Sequence, residues 1–456
     1  MIPIIVTLIM LAVLILGIVK KANIQMLLLS VGVITLLGYS LITGNSVAAT
    51  PSGSVFWDVF EVIKEQAISN LSGVGLIVMS VMGYVAYMNY MKASQLFAYV
   101  VSKPLKKIRK PYVIASLTLV VGAFMKLVIP AGSSMTALTL ATIYPVLIAC
   151  GVSVATAASS LIMATVLVWG PGEGLIYWIF DIVGISDLPV AEYFVKYQVP
   201  VVAALLVVMA VTFYFSSKYF DKKENAVAEV GAQDADIDLK SLHVPMFYAV
   251  LPILPLFFVL IFSELIMGSV VISIVAANFC SFFVAVIINM LVKKNFKQIF
   301  DDTKVFFEGI GSSVPSLVFY MIAGQVFAAA MDKIGGMSIL AQLLVNAGGS
   351  WITLTIIGCC LYTLMIACTG ALEGSIYLFA PMFLNIANAT GGNLVVMMAC
   401  MIMCSGIGFS LCPVSTPVIM ASTHANISMM TIVKRNIPAC IAALIVMFVL
   451  TFVLFV

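Results

Sequence analysis

Charge is what this sequence has least of. Only 9% of its 456 residues are Asp, Glu, Lys or Arg, and there are two histidines. A soluble domain devotes about a quarter of its residues to charge, so a water-facing globule is excluded. His243 and His424 stand alone in the chain, which excludes a zinc site and leaves too little for the nucleophile–base pairs of an enzyme. Nine cysteines are present but scattered through apolar segments. Cys400 and Cys404 share a helical face without a His or a further Cys pair, so the cysteines read as small apolar fillers and not as metal or redox ligands. The net charge of +3 points to no particular partner. The sequence calls for no cofactor, no metal and no nucleic acid.

What is abundant is apolar sequence. Hydrophobic residues make up 63% of the chain, in runs of roughly 20 residues that recur from end to end, the length that crosses a bilayer as an α-helix. The expected fold class is an all-α polytopic membrane protein. The first run, 2–19, has no basic stretch before it and reads as a retained span. Lys and Arg mark the cytoplasmic loops: Lys20-Lys21, Lys103 to Lys110, Lys218 to Lys223, Lys293 to Lys304 and Lys434-Arg435. Spans are then expected at 2–19, 22–43, 71–91, 154–181 and 199–217. In the second half they are expected at 245–263, 269–292, 312–331, 393–422 and 437–456. The polar stretches 44–70 and 181–198 fall outside. Apolar positions at helical spacing in 296–310 predict an amphipathic helix along the cytoplasmic interface.

Two apolar segments, 111–150 and 351–390, must begin and end on one side to keep this charge pattern. Each is broken in its middle by small polar residues, Val128 to Thr136 in one and Ala367 to Ser375 in the other. Each is expected to be a re-entrant hairpin with the break as its tip. Aligning Pro145 with Pro381 places Ala131 on Ala367, Ser133 on Thr369, and Gly170-Pro171-Gly172 on Gly406-Ile407-Gly408. The chain therefore reads as two inverted-topology repeats, 1–217 and 244–456, joined by a cytoplasmic linker, 218–243. Each repeat has five transmembrane helices and one hairpin, with broken helices at the midplane.

Four interruptions are expected to meet: the two tips, a break at Trp169 to Gly174 within 154–181, and a break at Cys404 to Ser410, continuing to Pro417, within 393–422. Half-helix N-termini offer free N–H groups to an anion, and freed carbonyls can hold a cation. Candidate substrate-binding residues are Ala131, Gly132, Ser133, Ser134, Thr136, Thr369, Gly370, Ser375, Ser410, Ser415 and Thr416. A charge at the bilayer centre costs about 2.5–3.5 kcal/mol even on lenient scales, so a buried one needs a partner or a task. Glu173 and Glu373, with Gly170, Gly172, Gly406 and Gly408, are candidates for a coupling ion or proton. Lys126 would neutralise a bound carboxylate or pair with a glutamate. Asp181, Asp332 and Lys333 sit at span ends, where snorkelling accounts for them.

The run Gly83 to Ser94 (GYVAYMNYMKAS), Lys103-Pro104-Leu105-Lys106 and the tip Ile129-Pro130-Ala131-Gly132-Ser133 resemble the DcuC family of anaerobic four-carbon dicarboxylate carriers, over essentially the whole chain. The resemblance implies an ion-transporter-superfamily fold in a bacterial inner membrane, working as a homodimer with a scaffold and a moving transport domain. It implies secondary, cation-coupled symport of succinate, fumarate or similar anions, with H⁺ or Na⁺ as coupling ion and an elevator mechanism. Dicarboxylate carriers of that superfamily have Ser-Asn-Thr signatures at both tips, whereas this chain has Gly-Ser-Ser-Met-Thr and Cys-Thr-Gly-Ala-Leu-Glu. Glu373 at the second tip would suit an amino acid or other zwitterionic carboxylate in the same architecture. An ion channel is the remote alternative.

Overall fold

The computed structural model describes residues 2–20, 22–108, 110–224, 244–263, 266–267, 270–335, 339, 342–343 and 348–456. Among them every regular element is helical. The first half comprises α1 (Ile2–Val19), α2 (Ile24–Thr43), α3 (Val55–Ser72), α4 (Val74–Tyr90), α5 (Ala93–Ser102), α6 (Pro111–Lys126), α7 (Gly132–Thr142), α8 (Tyr144–Ala149), α9 (Val154–Met163), α10 (Gly174–Val183), α11 (Val190–Tyr193) and α12 (Val199–Lys223). The second comprises α13 (Leu254–Ile261), α14 (Ile274–Lys293), α15 (Phe296–Asp302), α16 (Lys304–Ser313), α17 (Phe319–Ile334), α18 (Trp351–Thr369), α19 (Leu372–Thr390), α20 (Leu394–Ser410), α21 (Thr416–Ala425) and α22 (Met429–Phe455). Five helices among the described residues are each long and apolar enough to cross a membrane, and α3 with α4 makes a sixth as a bent pair. The protein is a multi-pass helical membrane protein.

Several spans are longer than hydropathy alone suggests. The stretch 44–70, expected outside, is helical from Val55 onward, and α3 bends by 47° into α4 at Gly73. Residues 190–223 form one continuous helix that takes in the first residues of the 218–243 stretch; 225–243, with His243, lie outside the described residues. That helix contains a π-helical turn at Phe194–Gln198, and a second such turn, Val314–Val318, joins α16 to α17. In 296–310, Phe296, Phe300 and Phe307 are exposed, but Phe306 is buried and stacks on Phe282 with ring centroids 4.0 Å apart. The expected interfacial helix is therefore two short helices, the second of which packs inward.

The helices fall into two packed groups. One holds α2, α3, α4, α14, α16 and α17, with α3 against α17 and α4 against α16. Those two long bent helices consequently run antiparallel. They cross where glycines let backbones meet: a Cβ on Gly83 would lie 2.9 Å from the Phe306 carbonyl, and one on Gly309 2.9 Å from the Met82 carbonyl. The other group holds both broken segments, α9, α12 and α20 to α22, and α12 lies along α22. Buried Arg435 ties this group together at the end of α12. Its guanidinium donates to Asp221 (2.6 Å), Thr156 (2.8 Å) and Glu224 (2.6 Å).

Candidate functional site

Four helix starts and one cavity define the site. The 111–150 segment is interrupted at 127–131, and α7 begins at Gly132 after Ala131. The 351–390 segment turns at Gly370, whose φ of +71° suits glycine, and α19 begins at Leu372 after Ala371. Residues 164–173 separate α9 from α10, which begins at Gly174. Residues 411–415 separate α20 from α21, which begins at Thr416. A cavity of about 320 Å³ is lined by all four starts: Ala131 to Ser133, Glu173 to Leu175, Leu372-Glu373, and Thr416-Pro417. Val78, Val81, Met82, Leu317 and Met321 of the other helix group form its opposite wall.

None of these four helices is closed by a side-chain cap, whereas α2, α9, α14, α18 and α20 each have an Asn or Ser cap bonded to a backbone N–H. Ser415 precedes α21, yet its hydroxyl donates back to the Cys412 carbonyl at 3.0 Å. Apart from Leu372 N, which bonds the Gly370 carbonyl (3.1 Å), Ile176 N, which bonds that of Glu173 (3.1 Å), and Gly374 N beside the Tyr320 hydroxyl, the helix starts offer first-turn N–H groups to an occupant of the cavity. The starts of α7 and α21 lie side by side, with a Cβ on Gly132 only 3.9 Å from the Pro417 ring.

The charges sort themselves clearly. Lys126 is 5% exposed; it donates to Glu173 at 3.0 Å and to the Pro130 carbonyl, fixing the first tip to the first break. It is the glutamate's partner. Glu373 faces the cavity with no ion pair among the described residues. Asp181 is exposed two residues before the end of α10, as expected of a span end, and also accepts a 2.6 Å bond from Gln325, which accepts in turn from Asn70. Trp178 donates to the Tyr377 hydroxyl at 2.9 Å, which donates in turn to the Met321 carbonyl at 2.7 Å, joining the two helix groups.

Of the candidate residues, Lys126, Ala131, Gly132, Ser133, Glu173, Glu373, Gly406, Ser410 and Thr416 line the cavity. Ser134, Thr136, Gly170, Gly172, Thr369, Gly370, Gly408, Ser375 and Ser415 do not. Several hydroxyls serve their own helices: Thr136 bonds the Gly132 carbonyl (2.8 Å), Thr369 that of Met365 (2.7 Å), Ser375 that of Ala371 (2.6 Å) and Ser410 that of Ile407 (2.8 Å). Ser133 and Thr416 remain exposed on the wall.

Two sequence expectations need correction. Gly406 and Gly408 do not mark a break; both lie within α20, which continues to Ser410. Their glycine character serves packing, since a Cβ on Gly406 would stand 1.8 Å from the Val166 carbonyl and one on Gly408 2.9 Å from that of Thr363. The ungapped overlay is also out of register at the tips. That overlay pairs Ala131 with Ala367, whereas the residues that precede α7 and α19 are Ala131 and Ala371.

Gln198 was missed. It is buried on the π turn, where its amide accepts from Gly170 N (3.0 Å) and donates to the Val168 carbonyl (3.3 Å). Trp169 donates to Ala123 and Tyr177 to Pro171, so side chains satisfy the unwound stretch that lipid could not. No sequence signal singles it out, because Gln198 closes the polar stretch 181–198 that also holds Glu192 and Lys196.

A multi-pass helical fold with discontinuous helices converging on one cavity is that of a membrane transporter. The family described as "DcuC: C4-dicarboxylate anaerobic carrier" matches residues 1–456, and the chain belongs to it. This is a family of carriers, not enzymes. A relative from Vibrio cholerae, "Probable anaerobic C4-dicarboxylate transporter DcuC", is 27% identical over 444 residues, 96% of this chain and 93% of that one. The Escherichia coli K12 "Anaerobic C4-dicarboxylate transporter DcuC" is 27% identical over 429 residues, 93% and 90% of the two chains. Two solved structures share the fold. The Alcanivorax borkumensis YdaH transporter superposes with a TM-score of 0.64 at 15% identity, covering 94% of this chain and 97% of that one. Neisseria gonorrhoeae MtrF superposes with a TM-score of 0.55 at 16% identity, covering 94% of each.

Proposed function

We propose that the protein is a secondary active transporter of four-carbon dicarboxylates such as succinate and fumarate. The observation that carries this reading is the convergence of four uncapped helix N-termini on a cavity whose lysine is already paired. Each N-terminus is equivalent to roughly half a positive charge, so four offer about two charges' worth of field to a dianion. They supply it without a mobile cation that would have to be desolvated at each cycle. Ser133 and Thr416 add hydroxyl donors beside two of those starts.

Glu373 opposes a dianion unless it is itself neutralised. We assign it the coupling role: H⁺ or Na⁺ binds there as substrate binds, which makes the process symport. The two halves are inverted repeats with re-entrant hairpins at 111–150 and 351–390. The group holding both tips moves, elevator-fashion, against the group holding α4 and α17, which forms the scaffold of a homodimer in the bacterial inner membrane.

Counterflow of radiolabelled succinate in proteoliposomes, repeated under imposed H⁺ and Na⁺ gradients, tests this. Absence of both counterflow and gradient-driven uptake overturns it. Glu373→Gln is expected to keep counterflow and lose the gradient dependence. Glu373 also favours a second reading, in which the cargo is zwitterionic and its ammonium meets this carboxylate. A thermal-shift panel of dicarboxylates against amino acids separates the two, because only a true ligand stabilises the folded state.

A further inference from the structure

Glu373 also lines a second cavity. On the far side of the second tip lies a space of about 350 Å³ bounded by Thr369, Gly370, Ala371, Glu373, Tyr320 and the start of α2 from Ala22 to Gln25. The 369–373 segment thus lies between the two cavities, with Glu373 lining both. The corresponding flank of the first tip, against Pro252, Pro255 and Ile274, leaves only about 30 Å³. The site is therefore open on one flank and closed on the other.

The second chamber is furnished with donors. Asn23 caps α2 through its carbonyl oxygen, which accepts from Met26 N at 3.1 Å, and its amide N–H groups are left for another acceptor. Gln25 lines the same wall. The buried Tyr320 hydroxyl has the Gly374 N–H beside it, and its own hydrogen is donated to no group among the described residues. Lys20, two residues before Ala22 in the chain, is exposed, and its charge attracts anions. Neutral donors along the wall and a single carboxylate, Glu373, describe a place where an anion pauses before the tip.

We propose that this chamber is a separate carboxylate-binding vestibule, with Asn23, Gln25 and Tyr320 as its donors and the 370–373 tip as the gate to the central cavity. The proposal rests on the dicarboxylate reading and adds to it a second, weaker site on one face only.

The test has three arms in proteoliposomes. In a chain whose native cysteines are replaced by Ser or Ala, Ala22→Cys is labelled with a membrane-impermeant thiol reagent, with and without saturating succinate. Tyr320→Phe and Gln25→Leu are measured for KM and kcat of succinate counterflow. Succinate should slow labelling several-fold. Each variant should raise KM about tenfold, as expected for one lost hydrogen bond to a charged group, with kcat within about twofold. Labelling indifferent to succinate, or an unchanged KM in Tyr320→Phe, while the wild type exchanges succinate, overturns the vestibule alone. A wild type that exchanges no succinate overturns the substrate reading instead. Tyr320→Phe removes a single oxygen, so it carries the kinetic arm should Gln25→Leu fail to fold.

Discussion

Lys126 and Glu173 are 47 residues apart in the chain and 3.0 Å apart in space. Because both are largely buried, removing one leaves the other uncompensated, at a cost of about 3–5 kcal/mol. Lys126→Met should lower thermal stability in detergent strongly, and so should Glu173→Gln. The double variant should recover most of the loss, because it leaves neither charge buried without its partner. Full transport in Lys126→Met would remove the pair from the account of the first tip.

Gly406→Ala asks for space that the Val166 carbonyl occupies. Overpacking of this kind costs about 1–3 kcal/mol or more, and it displaces the unwound 164–173 stretch toward the cavity. Transport should fall by far more than expression does. Gly38→Ala is the control: nothing lies within 4 Å of a Cβ there, and helix propensity alone should make it neutral or stabilising by up to ~1 kcal/mol. Equal behaviour of the two variants would refute the packing role.

Arg435 bonds Asp221, Thr156 and Glu224 from a fully buried position. Arg435→Met should cost about 3–5 kcal/mol by stranding Asp221. A double-mutant cycle with Asp221→Asn should return a large coupling energy, read from denaturation midpoints. Glu224 is more exposed, with 43% of its side chain accessible, so Glu224→Gln should have much the smaller effect.

Tyr377 lies on Gly324, where a Cβ would come within 1.8 Å of its ring, and bonds Met321 and Trp178. Tyr377→Phe gives up two hydrogen bonds, worth about 1–3 kcal/mol together, at the seam between the two helix groups. Gly324→Ala should pry that seam open further. Hydrogen exchange in α17 should rise in both variants, and unchanged exchange would mean that the contact does not hold the seam.

Much of this architecture can be read from the amino acids because lipid permits so few alternatives. Apolar lengths and the small-residue stretches at 128–136 and 367–375 located both helix interruptions, and the rarity of charge singled out Lys126, Glu173 and Glu373. Two things were hidden for physical reasons. Glycine has one letter and two uses: at Gly170 it supplies a φ of +101° for an unwound stretch, while at Gly406 it admits a neighbouring backbone inside an intact helix. Hydroxyls likewise look alike in a sequence, yet Ser375 and Thr136 close their own helical turns while Ser133 faces the cavity. Register suffers too, because helix starts at Gly132 and Leu372 are set by tertiary packing and not by the prolines downstream.

The π turn at Phe194–Gln198 holds one residue more than an α-helix of the same rise needs. Gln198 reaches Gly170 and Val168 because that surplus residue turns the helix before it resumes its run along α22. Deleting Val195, which is exposed on this turn, would straighten the helix and swing the amide away while leaving the long apolar face beyond Pro200 in place. In this protein the difference between a membrane span and a span that serves a binding site is a single inserted residue.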